Sequence, residues 1–372
     1  AEIEGVRYKS LEKAVAAAEE GDTITLLTDV KGNGVVVEGG KHITIDFAGY
    51  TYDIDGTTVG SSGTENNGFQ LLRGSDIIMK NGTITSSKAL ILIQNYSNLT
   101  LMDMNLDGSR MPVGHNYTLS NNCGDVKILG KTSITAAQGN VAFDLYYWPP
   151  SYKEGVKVTV DTTGTITGPV EYTTAGTEAD TAQNTALVIR NVNLKGELDV
   201  QAEGAQVTIS GGRFDHEIPA EYCAEGFEPV ANPDGTYGVC NHAAVEIKNV
   251  KEATCTEKGY TGDTYCKTCG KLLKTGEEIP LTAHDYQWVV DKQASAGDNG
   301  LRHQECKVCG HKGASETIPA TGEATPDGKP GDGVPATGEN TNMILWIVLL
   351  AVAGVGIVAA AIVYWRTSAK RK

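Results

Sequence analysis

The stretch Ile77-Ile78-Met79-Lys80-Asn81-Gly82-Thr83-Ile84-Thr85 contains the unit from which most of this chain is built. Apolar and polar residues alternate on both sides of an Asn-Gly pair, a pattern typical of two short strands joined at a tight corner. Similar units begin at residues 43, 99, 126 and 156, so the five starts are 34, 22, 27 and 30 residues apart. Repeats of about 20 to 50 residues indicate a solenoid. Units made only of strands therefore predict an all-β parallel β-helix, in which each coil packs its inward side chains against the neighbouring coils.

A β-sandwich or a row of immunoglobulin-like domains is the main alternative. Such folds require hairpins and strands spaced about 8 to 12 residues apart, and the longer repeat favours the solenoid. One helix is predicted before the repeats, because Ser10 can cap it and Gly21 can end it. Its apolar face contains Leu11, Ala14, Val15 and Ala18. We expect this helix to cover the first coil, whose open edge would otherwise invite aggregation.

Four segments carry a resemblance to a known fold family. They are residues 10–15, 21–27 and 43–50, and the closing stretch that runs from 209–214 to 234–237. Residues 1–239 resemble the right-handed parallel β-helix, pectin-lyase-like proteins of Firmicutes surfaces. The resemblance implies the β-helix fold and a location at the cell surface, and it indicates no particular substrate.

The C-terminal region combines three features in a characteristic order. Val334-Pro335-Ala336-Thr337-Gly338 is followed by an uncharged apolar run of 23 residues (343–365) and then by a basic tail (366–372). At about 1.5 Å per residue the run is long enough for a transmembrane helix, and the basic tail predicts a cytoplasmic end. The three features together resemble the LPxTG-type sorting signal of Gram-positive bacteria, although Val334 stands where Leu is usual.

This resemblance implies a sortase as partner, with cleavage between Thr337 and Gly338 and covalent transfer of Thr337 to peptidoglycan. The chain would then be located in the cell wall, and the membrane helix would anchor it only until cleavage. We expect a signal peptide to have been removed, because an exported protein needs one. The alternative is a plain membrane anchor. A second copy of the motif, Ile318-Pro319-Ala320-Thr321-Gly322, is explained as the end of a repeat, and residues 323–342 form a Pro/Gly-rich spacer.

The net charge of −15 argues against nucleic acid and anionic wall polymers as tight partners. Neutral glycans, cationic proteins and divalent cations remain compatible with it.

Six of the eight cysteines lie between Cys240 and Cys309, in two degenerate repeats that span residues 240–283 and 284–322. Each repeat contains Cys-x-x-Cys-Gly, a turn that points two thiolates at one metal ion, so structural zinc is predicted. The ligands predicted for the first repeat are Cys255, Cys266 and Cys269, with Cys240 or His242. Those predicted for the second are His303, Cys306 and Cys309, with His284 or His311. Disulfide bonds, or Cys-x-x-Cys turns that hold no metal, are the alternatives.

Two groups of residues on the predicted solenoid are candidates for a site. Asp103, Asp107 and Arg110 form a carboxylate cluster that could serve a polysaccharide lyase or glycoside hydrolase, but Asp at coil corners also caps turns. The aromatic platform candidates are Tyr146, Tyr147, Trp148 and Tyr152, beside two prolines that predict a loop. These rings could bind a glycan or a protein, or fold back onto the coil. We expect an adhesin that binds its ligand, with the polysaccharide lyase or glycoside hydrolase as the alternative.

Overall fold

The structure, a computed structural model, describes residues 1–322. The predicted sorting motif, membrane helix and basic tail lie outside the described residues. No helix within residues 1–322 is both long and apolar enough to cross a membrane. The chain divides into two compact units, and the boundary falls between Thr282 and Ala283. The first unit thus contains both the predicted solenoid and the first cysteine repeat.

The first unit consists mainly of short strands with two short helices. The helices are α1 (Leu11–Ala17) and α2 (Glu178–Asn184), with one 3-10 turn at Ala220–Tyr222. The strands that precede the cysteine repeat are β1 (Glu2–Ile3), β2 (Val6–Arg7), β3 (Thr23–Thr25), β4 (Val30–Gly32), β5 (Val35–Val37), β6 (His42–Asp46), β7 (Thr51–Ile54), β8 (Asn67–Leu71), β9 (Asp76–Ser86), β10 (Ile91–Asn95), β11 (Asn98–Gly108), β12 (Tyr117–Asn121), β13 (Gly124–Gly130), β14 (Ser133–Ala136), β15 (Val141–Tyr147), β16 (Val156–Thr167), β17 (Val170–Thr174), β18 (Thr185–Lys195), β19 (Leu198–Val200), β20 (Val207–Ile209), β21 (Arg213–Phe214), β22 (Glu228–Ala231) and β23 (Tyr237–Cys240).

These strands form two sheets whose ladders are almost all parallel. The larger sheet has sixteen strands, with the main order β2-β1-β3-β6-β9-β11-β13-β16-β18-β21-β23-β22. The smaller sheet has seven, in the order β19-β17-β15-β12-β10-β8-β5. Antiparallel ladders occur only at the two ends of the larger sheet. The protein is therefore mostly β with parallel sheets, and this pairing argues against a β-sandwich, whose sheets are antiparallel.

The repeat units predicted from the sequence pair residue by residue. One row of the larger sheet joins Ile43, Ile77, Leu99, Val126, Val158 and Leu187. One row of the smaller sheet joins Val35, Phe69, Ile93, Leu119, Phe143 and Val170. All twelve side chains are buried in a single hydrophobic core. Since strand side chains alternate between faces, the residues that flank the row of the larger sheet point away from the core.

Helix α1 begins where the sequence predicts. The Ser10 side chain accepts a hydrogen bond from the Lys13 N–H at 3.4 Å, and Leu11, Ala14 and Val15 are buried. The helix ends at Ala17, before Gly21. It packs against β5, at one end of the smaller sheet. Helix α2 was not predicted from the sequence, although Thr177 caps it in the same way.

The two cysteine repeats form small antiparallel sheets. The first contains β24 (Val245–Lys248), β25 (Gly259–Tyr260), β26 (Asp263–Cys266), β27 (Leu272–Lys274) and β28 (Glu278–Ile279), in sheets β24-β26-β27 and β25-β28. The second unit contains one sheet, β29-β30-β31, made of β29 (Tyr286–Lys292), β30 (Gly300–Cys306) and β31 (Lys312–Ile318). In each three-stranded sheet the first cysteine of Cys-x-x-Cys is the last residue of the central strand.

Candidate functional site

Both Cys-x-x-Cys segments form the same tight turn. The N–H of Gly270 donates to the Cys266 carbonyl at 2.9 Å, and the N–H of Gly310 donates to the Cys306 carbonyl at the same distance. Both glycines have positive φ, 75° and 71°, a conformation that costs glycine little. The turns bring the two thiols of each pair to one side, as a zinc knuckle requires.

Two clusters of cysteine and histidine side chains could hold a metal ion such as zinc. The first is of the Cys3His type and consists of Cys240, His242, Cys266 and Cys269, whose ligand atoms all lie within 4.8 Å of one another. The Cys240 and Cys266 Sγ atoms are 3.6 Å apart, and the Cys269 Sγ lies 3.4 Å from His242 Nδ1. A tetrahedron with Zn–S bonds of about 2.3 Å has edges of about 3.8 Å, so this spacing fits zinc.

The surroundings of the first cluster favour metal binding. The backbone N–H of Cys269, with further hydrogen bonds, lowers the pKa of Cys266 to about 6 although burial opposes the shift. A thiolate is the form that binds a metal. His242 Nε2 contacts a Glu228 carboxylate oxygen, and Lys271 Nζ lies 2.5 Å from the same oxygen. This contact fixes the imidazole with Nδ1 toward the thiols, as in carboxylate–histidine–zinc arrangements.

The predicted ligand set of the first repeat is partly wrong. Cys240 and His242 both belong to the cluster, whereas the prediction took them as alternatives, and Cys255 is not among the four. The reason is topological, because β23 ends at Cys240 and the chain then passes directly beside the knuckle into β24, where Val245 pairs with Cys266. The Cys255 side chain is buried.

Within the second unit, His284, Cys306 and Cys309 form the matching cluster. The Cys309 Sγ lies 3.3 Å from His284 Nδ1. Burial raises the pKa of Cys306, but the N–H groups of Cys309 and Val308 outweigh it and leave that pKa at about 6. The ring of His284 stacks on that of His311, with centroids 4.6 Å apart. Of the two histidines that the sequence offered as alternatives, His284 is the one in the cluster.

His303 is not a ligand, contrary to the sequence prediction. Its ring is buried, Nδ1 lies 2.6 Å from the Asp291 carboxylate and Nε2 lies 3.3 Å from that of Glu305. Both ring nitrogens are therefore engaged by acids. The side chain lies at an inward position of β30 three residues before Cys306, and strand alternation turns it to the opposite face.

A groove of about 400 Å3 lies on the outer face of the smaller sheet of the first unit. Its floor contains Gln94, Ser120 and Asp144, which occupy equivalent positions on β10, β12 and β15. Its walls contain Tyr96, Tyr117, Tyr146, Trp148 and Tyr152. We call this feature the aromatic groove. A polar floor below aromatic walls suits ligands that present both hydroxyl groups and apolar ring faces.

The wall is held by a loop that folds back over the sheet. After Trp148 the chain turns, with the N–H of Tyr152 donating to the Trp148 carbonyl at 3.0 Å. Arg73 secures the loop by donating to the Ser151 carbonyl at 3.2 Å and by pairing with Glu154 at 3.0 Å. The Tyr152 ring consequently stacks on Tyr96, with centroids 5.0 Å apart. Trp148 remains 41% exposed.

The predicted aromatic platform is thus present without one of its members. Tyr146, Trp148 and Tyr152 line the groove. Tyr147 is 2% exposed and belongs to the core, because it is the last residue of β15 and alternates inward. Tyr96, which follows β10, and Tyr117, the first residue of β12, complete the walls. The sequence does not single them out, because only the pairing of neighbouring strands brings them together.

Asp144 is the acid of the groove floor. It is 6% exposed, and its Oδ1 accepts a hydrogen bond from the Asn121 N–H at 3.0 Å. Burial raises its pKa to about 7. Next to it, the Gln94 side-chain amide donates to the Ser120 hydroxyl at 3.1 Å. The floor is therefore ordered before any ligand binds.

The three residues of the predicted carboxylate cluster do not form one site, because each contacts a different part of the fold. Asp103 has φ of 55° and accepts from the Lys131 N–H at 2.8 Å. Asp107 accepts from the Ser109 N–H at 3.0 Å, and Arg110 pairs with Asp53 at 2.8 Å. The two aspartates therefore stabilise corners, which is the turn-capping role that the sequence also allowed, and Arg110 connects its segment to β7.

Comparison with protein-family models, with curated proteins and with solved structures finds no match.

Proposed function

We propose that this chain is a cell-wall-anchored surface protein of a Gram-positive bacterium, and that its aromatic groove binds a glycan. The groove carries the proposal, because five aromatic side chains stand over a floor of hydrogen-bonding groups. Sugar rings stack on aromatic faces with their apolar sides and present hydroxyl groups at their edges. The engagement of Asp103, Asp107 and Arg110 in structural contacts favours binding over cleavage on this domain.

The proposed scaffold of the groove is a right-handed parallel β-helix. The parallel ladders and the residue-by-residue rows of the core support it. Stacked coils give a rigid outer face, so the floor residues of adjacent strands keep a spacing of about 4.8 Å. A preformed site of this kind loses little conformational entropy when a ligand binds.

Zinc is the proposed occupant of the cysteine clusters, in a structural role. Cys240 is the last residue of the larger sheet, whereas Cys266 and Cys269 belong to the knuckle of the first repeat. A metal ion held by all three would connect the repeat to the last strand of the domain that precedes it. Repeats of about forty residues have small cores and commonly need such a link.

The sorting signal at Val334–Gly338 supports the proposed location. Sortase cleavage after Thr337 would leave the described units outside the cell, joined to peptidoglycan through the spacer. The strongly negative charge suits a soluble surface protein with neutral ligands.

A glycan array tests the binding proposal. The full chain in detergent is applied beside the variants Trp148→Ala and Trp288→Ala, whose native tryptophans are 41% and 40% exposed. We expect binding to at least one class of neutral or amino-containing glycan, a loss of about tenfold or more in Trp148→Ala, and no change in Trp288→Ala. Absence of glycan binding, or equal binding by both variants, would contradict the proposal.

A further inference from the structure

The aromatic groove has an unusual charge pattern for a glycan site. Asp144 is the only charged side chain among the residues that line it, and the lining contains neither Lys nor Arg. Uronates, sulfates and phosphates are normally bound through Lys or Arg, which neutralise them and donate hydrogen bonds. The groove therefore disfavours anionic sugars and offers one negative charge to its ligand.

Among residues 1–322, no Lys, Arg or His side chain forms an ion pair with Asp144. Burial raises the pKa of Asp144, and hydrogen bonds from Asn121 and Ser120 lower it. The nearby carboxylate of Glu171, at the matching position of the adjacent strand, raises it further. Glu171 in turn contacts Tyr117 Oη and His115 Nε2, each at 3.5 Å. Asp144 and Glu171 thus lie side by side on neighbouring strands, and the exposed His115 is the base that contacts Glu171.

The walls supply a second means of binding a cation. An ammonium group placed over the face of Tyr or Trp is attracted by the negative face of the ring, and this attraction is strongest where water is excluded. Tyr117 and Tyr146 line the groove together with Asp144, and Tyr96, Trp148 and Tyr152 form its other wall. One carboxylate with several aromatic faces is a suitable environment for a protonated amine.

We propose that the aromatic groove selects a glycan that carries a free, protonated amino group, such as a glucosamine unit, with the ammonium paired to Asp144. This inference rests on the proposed function, because it assigns the ligand class of the same groove. The sugar ring would stack on the aromatic wall while the amine reaches the floor. An N-acetylated unit of the same shape would lose the ion pair, since its amide nitrogen carries no charge.

The titration of Asp144 gives the proposal a recognisable pH dependence. Burial raises its pKa to about 7, so near neutral pH the carboxyl is protonated in about half of the unbound molecules. An ammonium ligand binds the carboxylate form and releases the proton. Its affinity should therefore rise between about pH 5 and pH 7, by up to about tenfold per pH unit, and fall again when the ligand's own amine loses its proton. The negative charge of Glu171 helps to raise the pKa of Asp144, so Glu171→Gln should move the rise in affinity to lower pH.

The test compares two oligosaccharides of equal length, a β-1,4-linked glucosamine oligomer and its fully N-acetylated form, by titration calorimetry of the full chain. We expect the free amine to bind about tenfold more tightly at pH 7. In Asp144→Asn this preference should disappear while binding of the N-acetylated oligomer is retained. In Trp148→Ala both oligomers should lose affinity together.

The possible outcomes separate the inference from the function beneath it. Equal affinity for the two oligomers, or a preference that survives in Asp144→Asn, would overturn the inference and leave glycan binding intact. Loss of all glycan binding in the wild-type chain would overturn the proposed function itself. If Asp144→Asn does not fold, the wild-type pH profile decides, because an amine affinity that is flat between about pH 5 and pH 7 contradicts an ion pair with Asp144.

Discussion

At the scale of single residues, the chemistry of the cysteine repeats depends on backbone N–H groups. The knuckle turn points the N–H of Cys269 at the Cys266 sulfur, which lowers the pKa of Cys266 to about 6. The same turn in the second unit has the same effect on Cys306. Each repeat therefore contains a cysteine that is mostly ionised at neutral pH. A thiolate of this kind favours metal binding, whereas a buried neutral thiol would be inert.

Replacement of Cys266 tests this interpretation. Cys266→Ser removes one of four ligands in the first cluster, and we expect the bound zinc to fall by about one ion per chain. Cys223→Ser is the matched control, because Cys223 is half-buried and lies outside both clusters. Elemental analysis of the full chain purified without added metal gives the count. Equal zinc in the wild type and Cys266→Ser would show that the cluster holds no metal.

Individual residues also show where sequence reasoning reaches its limit. Trp148 and Tyr152 could be identified as surface aromatics, because two prolines interrupt the strand pattern beside them. Asp144 could not, because it lies in an ordinary strand, and the loop beside it is held by Arg73, which follows β8, three strands earlier in the smaller sheet. Tyr147 was misassigned for a related reason, since the loop begins one residue after it.

At the scale of elements, the fold is stabilised by rows of side chains that repeat from strand to strand. The strand β13 shows the two faces clearly, because Ile128 is fully buried between Leu101 and Val160 in register, whereas its neighbour Lys127 is exposed. Because each successive strand of the sheet buries one such aliphatic side chain, the stabilisation is approximately additive from strand to strand.

Truncation of these two neighbours should have very different effects. Ile128→Ala leaves a cavity between Leu101 and Val160, and we expect it to lower the free energy of unfolding by about 2–5 kcal/mol. Lys127→Ala should change it by less than about 0.5 kcal/mol. Chemical denaturation of the full chain, followed by circular dichroism, measures both. Similar values for the two variants would mean that this row is not part of a packed core.

The strands and the first helix were the features most predictable from the sequence. Alternating residues on both sides of Asn-Gly corners indicated the repeat units, and the rows of paired strands follow those units closely. The capped start of α1 was predicted because its Ser10 signal is local. The metal ligands were harder to predict, because Cys240 and His242 lie at the start of the repeat, far in sequence from Cys266, and only the course of β23 into β24 brings both of them to the knuckle.

At the scale of the whole molecule, the described residues form two units that have separate tasks in the proposed function. The first unit contains the aromatic groove and the first metal cluster. The second unit contains the matching knuckle and leads, in sequence, to the spacer and the sorting motif. The account as a whole requires that the first unit be displayed outside the cell, with the chain joined to the wall through Thr337.

The most direct test is the fate of the full chain in a Gram-positive host that exports it. Two copies of Pro-Ala-Thr-Gly make a matched pair of variants, Thr337→Ala and Thr321→Ala. Cell walls are boiled in detergent, digested with a peptidoglycan hydrolase and probed for the chain. We predict that the wild type and Thr321→Ala stay bound to the wall until digestion, whereas Thr337→Ala is extracted by detergent with the membrane. Extraction of the wild type by detergent alone, with Thr337→Ala behaving the same way, would contradict the account.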